Sequence, residues 1–150
     1  MTPQTIRFYS VGQPYGELSN FAAYPIVRGK VRWPTSEHYF QAQKFADRAD
    51  REEIRGARTP MLAAQMGRDR KRKLRRDWES VKDDVMRDAV RAKFTQHESL
   101  RALLLATGDA RLVEHTENDA YWADGGDGSG KNRLGRILEE TRAELRAQGG

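Results

Sequence analysis

Gly125–Asn132 reads GGDGSGKN, and how this stretch is read decides the fold. Gly125, four further residues, Gly130 and Lys131 match the start of a phosphate-binding P-loop, which then requires Ser or Thr. Asn132 stands there instead and brings no hydroxyl for magnesium. A P-loop also needs a buried β-strand before it and a helix after it, inside a parallel sheet. The preceding residues, EHTENDAYWAD, are too polar for a buried strand, and the twenty residues after Gly130 make one helix and no further strand. Glu114, Glu117, Asp119, Asp124 and Asp127 would repel a triphosphate. A calcium loop fits no better, because Asp124 and Asp127 are three apart rather than at alternate positions. What remains is a glycine loop leading into a helix that starts near Asn132. That helix start either offers free N–H donors to a phosphate or sugar oxygen, or is a tight turn with Asn132 as its cap.

Working outward, Ile6–Ser10 (IRFYS) alternates apolar and polar residues as a short strand does. Tyr24–Trp33 (YPIVRGKVRW) predicts a hairpin turning near Arg28-Gly29. Pro34 stops that strand, and Thr35 or Ser36 can cap a helix running through EHYFQAQKFAD. Thr59 and Pro60 start another helix, which Gly67 ends. Val81, Val85, Met86, Ala89, Val90 and Phe94 recur at helical intervals between Trp78 and Phe94. SLRALLLATG is a further helix ended by Gly108, RLVEHT a brief extended piece, and Leu134, Ile137, Leu138, Thr141 and Leu145 mark a closing helix. The expected fold is mainly α (α+β by strict count), a single domain over residues 1–150 with a small N-terminal β ribbon.

Composition narrows the function. With no cysteine there is no disulfide framework, and any metal site would rest on His and carboxylates. His38, His97 and His115 show no metal-ligand spacing, and His38 reads as a surface or partly buried helix residue. No window approaches the roughly 18 apolar residues of a membrane span, and no signal-peptide core is visible, so a cytoplasmic location is expected. The net charge of +5 favours anionic partners. It is clustered: RDRKRKLRR, Arg68–Arg76, holds seven basic residues in nine, either a solvated face or a polyanion contact.

Thr35–Phe45 (TSEHYFQAQKF) carries the candidate chemistry. On a helix, positions four and seven apart lie within about 40° of the first, so Glu37, Gln41 and Lys44 would form one polar stripe flanked by Phe40 and Phe45. Such a stripe either lines a ligand pocket or is an exposed Glu–Lys pairing. In Gly16–Phe21 (GELSNF), Asn20 offers an amide and Phe21 a stacking face, unless Phe21 only anchors a loop. Trp33 and Trp78 read as core residues; Trp78 is also carried as a substrate-contact candidate, and Trp122 as a pocket wall.

Taken in order, F-Y-S…G-E-L-S-N-F, T-S-E-H-Y-F-Q-A-Q-K-F, D-W…V-M…K-F, L-L-A-T-G…L-V-E and D-A-Y-W…G-D-G-S-G-K-N-R-L-G resemble the YbiA/NADAR family. The likeness runs from Phe8 to about Arg142; Ala123 departs from it, since the family usually has Gly after Tyr-Trp. The resemblance implies a compact, mainly helical fold and N-glycosidase activity. One implied substrate is ADP-ribosylated guanine in DNA or RNA; the other is a phosphoribosylamino-pyrimidine intermediate of riboflavin synthesis. A non-catalytic reader of ADP-ribose is a third reading. The implied roles are Lys44 as nucleophile and Glu37 as proton shuttle, with Asp119 or Glu114 as partner carboxylate. Asn20, Phe21 and Gln41 would contact base or ribose. Gly128, Gly130, Asn132, Leu134 and Gly135 would shape the glycine loop against a ribose or diphosphate, facing Glu37 and Lys44. No cofactor and no metal are expected. An ADP-ribosyltransferase toxin encoded nearby is a candidate partner.

Overall fold

The computed structural model describes residues 4–149. They comprise six helices and four short strands, β1 Thr5–Phe8, β2 Ile26–Arg28, β3 Val31–Trp33, α1 Ser36–Ala42, α2 Arg48–Arg55, α3 Pro60–Gly67, α4 Trp78–Gln96, α5 Glu98–Ala106, β4 Arg111–Glu114 and α6 Arg133–Ala147. The strands form only two two-stranded ribbons, so the α+β class with a helical majority is the observed one. No helix among the described residues is long and apolar enough to cross a membrane. Contacts divide the chain into two units. The first holds the residues before Ala23 with those from Phe94 on, and the second holds Ala23–Lys93.

In the first unit β1 and β4 pair in parallel, Ile6 opposite Leu112 and Phe8 opposite Glu114. Everything from Tyr9 to Ala110 lies between them in sequence, so no local pattern announces the pairing. Two parallel strands leave an open edge of unpaired backbone groups, which needs cover. Here α6 covers it with side chains. Glu139 accepts from Leu112 N at 2.8 Å, while the Asn132 amide donates to Leu112 O at 2.9 Å and accepts from Glu114 N at 3.0 Å. Asn132 therefore acts like one residue of a third strand. Its left-handed backbone (φ 50, ψ 45) aims the amide at β4, and it makes no side-chain cap bond to α6. Gly135 follows from the same packing, since a Cβ there would collide with Leu112 O and the Asn132 amide. Buried Leu134, Ile137, Leu138 and Leu145 fill the inner face of α6.

The second unit begins with the β2–β3 hairpin. It turns on Gly29 and Lys30, both at positive φ (60 and 65), one residue later than the sequence pattern predicts. Two positive φ values give the turn the twist that matches a hairpin. Helices α1, α2 and α3 pack on one another, and α1 also meets β3. The Thr35 hydroxyl caps α1 by accepting from His38 N, and Thr59 caps α3 by accepting from Leu62 N, with Pro60 in the first turn. The α2 helix has no counterpart in the sequence reading. Asp47 caps it, but Ile54 is its only buried residue, so it carries no apolar periodicity to detect.

Asn132→Gly keeps the positive φ and deletes both amide bonds to β4. The expected loss is about 1–3 kcal/mol in urea unfolding; an unchanged midpoint would contradict the edge-covering role.

Candidate active site

The α1 helix ends at Ala42, sooner than its sequence predicts. Beyond Gln43 the bonds tighten to three-residue spacing, from Lys44 N to Gln41 O and from Phe45 N to Ala42 O. The chain is then drawn into an antiparallel bridge between Phe45 and Leu74, with Arg75 N donating to Lys44 O at 2.8 Å. Lys44 is therefore not the third member of a helical stripe. It sits in the tight turn just after the helix.

The turn still keeps Lys44 beside Glu37. Lys44 is half-buried, and that burial pushes its amine pKa below the ordinary lysine value. The Glu37 charge pulls it back up, while Arg68 and Lys82 push it further down. The amine donates to Gly67 O at 3.4 Å and lies 6.0 Å from the centre of the Phe40 ring. Phe40 packs edge-on against Trp78, centroids 5.2 Å apart, and both rings are buried. Trp78 thus braces the ring beside Lys44, in keeping with its reading as core.

Glu37 is buried, and its Oε2 accepts from Gln41 Nε2 at 2.7 Å. Gln41 is also buried, and its Oε1 finds no hydrogen-bond partner in the structure. That oxygen lies so close to Gly67 that a Cβ at position 67 would collide with it. Gly67 thus admits the Gln41 amide on one side and accepts from Lys44 through its carbonyl. His38 is neither a surface nor a half-buried residue: it is fully enclosed, Nδ1 on the Thr35 hydroxyl at 2.8 Å and Nε2 on Ala57 O at 2.9 Å. Burial lowers its pKa, and its position fixes the start of α1.

In the first unit, the glycine loop is held by its own backbone. The amides of Gly130, Lys131, Asn132, Arg133 and Leu134 all donate to carbonyls between Ala120 and Asp124. The anion-binding helix start considered for Asn132 is therefore not available, because these donors are already taken. Asp124, which the sequence offered only as one of several loop acids, is buried at the centre. Burial opposes its ionisation, but hydrogen bonds from His115 (2.7 Å), Gly126 N and Thr116 N outweigh that and hold its pKa below the usual carboxylate range. Asp119 Oδ1 accepts from Tyr121 N and Trp122 N, each at 2.8 Å, and so shapes the turn that presents half-buried Trp122. Glu114 is half-buried at the end of β4, Asn20 is buried and Phe21 half-buried. Gly128, Gly130 and Asn132 line a cleft of about 80 Å³ with Arg7 and Arg111. That is well below the roughly 300 Å³ of a ligand pocket. Leu134 and Gly135 are buried against β4, which accounts for both without a ligand.

Among the described residues no group of three His, Asp or Glu side chains could hold a metal ion. The sequence reading also passed over Lys93, which is buried on α4 with its amine 6.0 Å from the Tyr24 ring centre. Nothing in the sequence marks it, since a lysine on an amphipathic helix ordinarily faces water.

Gly67→Ala tests the packing around Gln41 by its sign. Helix propensity alone would stabilise the protein by up to about 1 kcal/mol. Displacing Gln41 from Glu37 should reverse this to a net loss of about 1–2 kcal/mol. Combining it with Gln41→Ala, compared with Gln41→Ala alone, should restore the gain; stabilisation in the single variant would contradict the packing.

The NADAR domain family matches residues 7–146. The N-glycosidase YbiA of Escherichia coli (strain K12) is 66% identical, over 97% of this chain and 91% of the relative. A riboflavin biosynthesis protein of Vibrio vulnificus (strain YJ016) is 45% identical, over 95% of this chain but 39% of its own length. Among solved structures, the NMR structure of the E. coli protein YbiA superposes with a TM-score of 0.92 at 62% identity, covering 99% of this chain and 89% of that one. The domain match takes in nearly the whole chain, and the chain belongs to the NADAR family.

Proposed function

We propose that this chain, a hydrolase of N-glycosyl bonds, removes ADP-ribose from guanine in nucleic acid, with Lys44 as its nucleophile. The observation that carries the proposal is the Lys44 amine itself. It is half-buried, has a lowered pKa, and lies within the field of a carboxylate that Gln41 holds in place. A neutral amine at moderate pH is a nucleophile, and a desolvated lysine is one way proteins obtain it.

In the proposed reaction the Nζ lone pair forms a bond to the anomeric carbon while the carbon–nitrogen bond to guanine breaks. The proton shed by Nζ passes by way of Glu37 to the departing base nitrogen. The sugar ring then opens, its oxygen taking the remaining Nζ proton, and a Schiff base results. Water adds to that imine, releases ADP-ribose and returns the free amine. No electron acceptor enters the sequence. Asp119 is assigned to setting the turn that bears Trp122.

A second reading is favoured by the riboflavin-biosynthesis relative: cleavage of a phosphoribosylamino-pyrimidine. The same Lys44 chemistry would serve it. Turnover of an ADP-ribosylated oligonucleotide that falls as salt rises, alongside inertness toward the pyrimidine ribotide, supports the first reading. The opposite preference supports the second.

Borohydride added during turnover should trap a covalent adduct on Lys44, visible by peptide mass spectrometry and absent in Lys44→Ala. Active enzyme that yields no adduct would point to direct attack by water. The reactive form is the neutral amine, so kcat/KM should rise with pH through the Lys44 pKa, below the roughly 10.4 of free lysine. The Glu37 charge raises that pKa. Glu37→Gln should therefore move the rising limb to lower pH while reducing kcat by about 10²–10⁴; a limb that moves upward or stays fixed would contradict the pairing.

A further inference from the structure

The basic run at Arg68–Arg76 forms an irregular segment between α3 and α4, and the structure sorts its cations into two groups. Arg72 and Arg75 work internally. Arg72 is largely buried and pairs with Asp50 at 2.7 Å and Glu53 at 3.2 Å. Arg75 pairs with Asp77 at 2.6 Å and gives its backbone N–H to Lys44 O. Arg68, Arg70, Lys71, Lys73 and Arg76 are exposed instead. A charge run that is merely a solvated face balances itself with nearby acids. Here Asp77 is occupied by Arg75, and Asp69 is turned back to accept from Lys71 N at 3.0 Å. Five outward cations are left over on a segment nine residues long.

Both ends of this segment are fastened to one residue. At its start Gly67 O accepts from the Lys44 amine, and near its end Arg75 N donates to Lys44 O, beside the Phe45–Leu74 bridge. The outward cations are thus set in a loop closed on Lys44. Phosphodiester backbones are bound by such rows of Lys and Arg through counterion release, with little regard for sequence. We infer that residues 68–76 are a phosphodiester-binding surface that holds a nucleic-acid strand beside Lys44. The inference deepens the nucleic-acid reading of the Lys44 site and rests on it for the chemistry, though strand binding itself does not depend on turnover. A separate basic cleft of about 370 Å³, lined by Lys30, Arg32, Arg48, Arg51 and Arg55, is the competing place for a strand. It is the weaker choice, because Arg55 is paired with Glu52 and the Arg51 Nε is taken by Phe45 O.

The test is fluorescence anisotropy with an unmodified single-stranded oligonucleotide across a salt series. It compares wild type, Arg70→Gln/Lys71→Gln/Lys73→Gln, and an equal charge removal at Lys30, Arg32 and Arg48. Arg68 is left intact because its charge acts on Lys44. The first triple variant should weaken binding at least about tenfold at low salt and shrink the slope of log affinity against log salt by about 2. Its kcat on ADP-ribosylated guanosine, which has no strand to hold, should equal wild type. Unchanged oligonucleotide binding would overturn the inference. So would a loss carried by the Lys30/Arg32/Arg48 variant, or an equal loss of turnover on the small substrate. If wild type binds the strand through residues 68–76 but cleaves neither ADP-ribosylated substrate, the proposed reaction falls while the surface assignment stands.

Discussion

A half-buried lysine amine in the field of a carboxylate is the constraint on which the second unit turns. Partial burial disfavours the ammonium and lowers its pKa, and the Glu37 charge opposes part of that shift. Each neighbour has a part in this. Gln41 fixes Glu37, Gly67 leaves room for Gln41 and offers Lys44 a carbonyl, and Phe40 with Trp78 supplies the apolar wall. The early end of α1 belongs to the same arrangement, because a helix continued through Lys44 would not let its backbone carbonyl reach Arg75.

The first unit shows a different use of polar groups. Asn132 and Glu139 act as a substitute strand along β4, and Asp124 gathers a histidine and two amides in the interior of the loop. Most of the loop's hydrogen bonds are internal. That explains how four glycines and five acids from Glu114 to Asn132 hold one shape. GGDGSGKN looks like a phosphate cradle because both need glycine, Lys and a helix start. The two differ in where the amides point, and here they point inward to Ala120–Asp124.

How much of this the sequence reveals follows from the range of each interaction. Caps and breakers act locally, so Thr35, Thr59 with Pro60, and Gly108 mark helix ends that the structure keeps. The long α4 is written in its apolar spacing. The α2 helix is not, because a helix with one buried residue has no stripe. The end of α1, the parallel pairing of β1 with β4 and the enclosure of His38 depend on residues far along the chain, at Leu74, Arg111 and Ala57. Glu37, Gln41 and Lys44 could be grouped by spacing, although the geometry joining them is a turn rather than a helical face. The motif order identified the family. Which cations of the 68–76 run point outward could not be read, since Arg and Lys look alike until their partners are placed.

The Lys44 amine can be observed directly. NMR titration of protein carrying carbon-labelled lysine, with Lys44→Arg to assign the signal, reads its pKa without any substrate. The account predicts a midpoint below that of the exposed lysines, falling further in Glu37→Gln, where the carboxylate's charge is gone. A Lys44 midpoint at or above the exposed lysines, unmoved by Glu37→Gln, would contradict it.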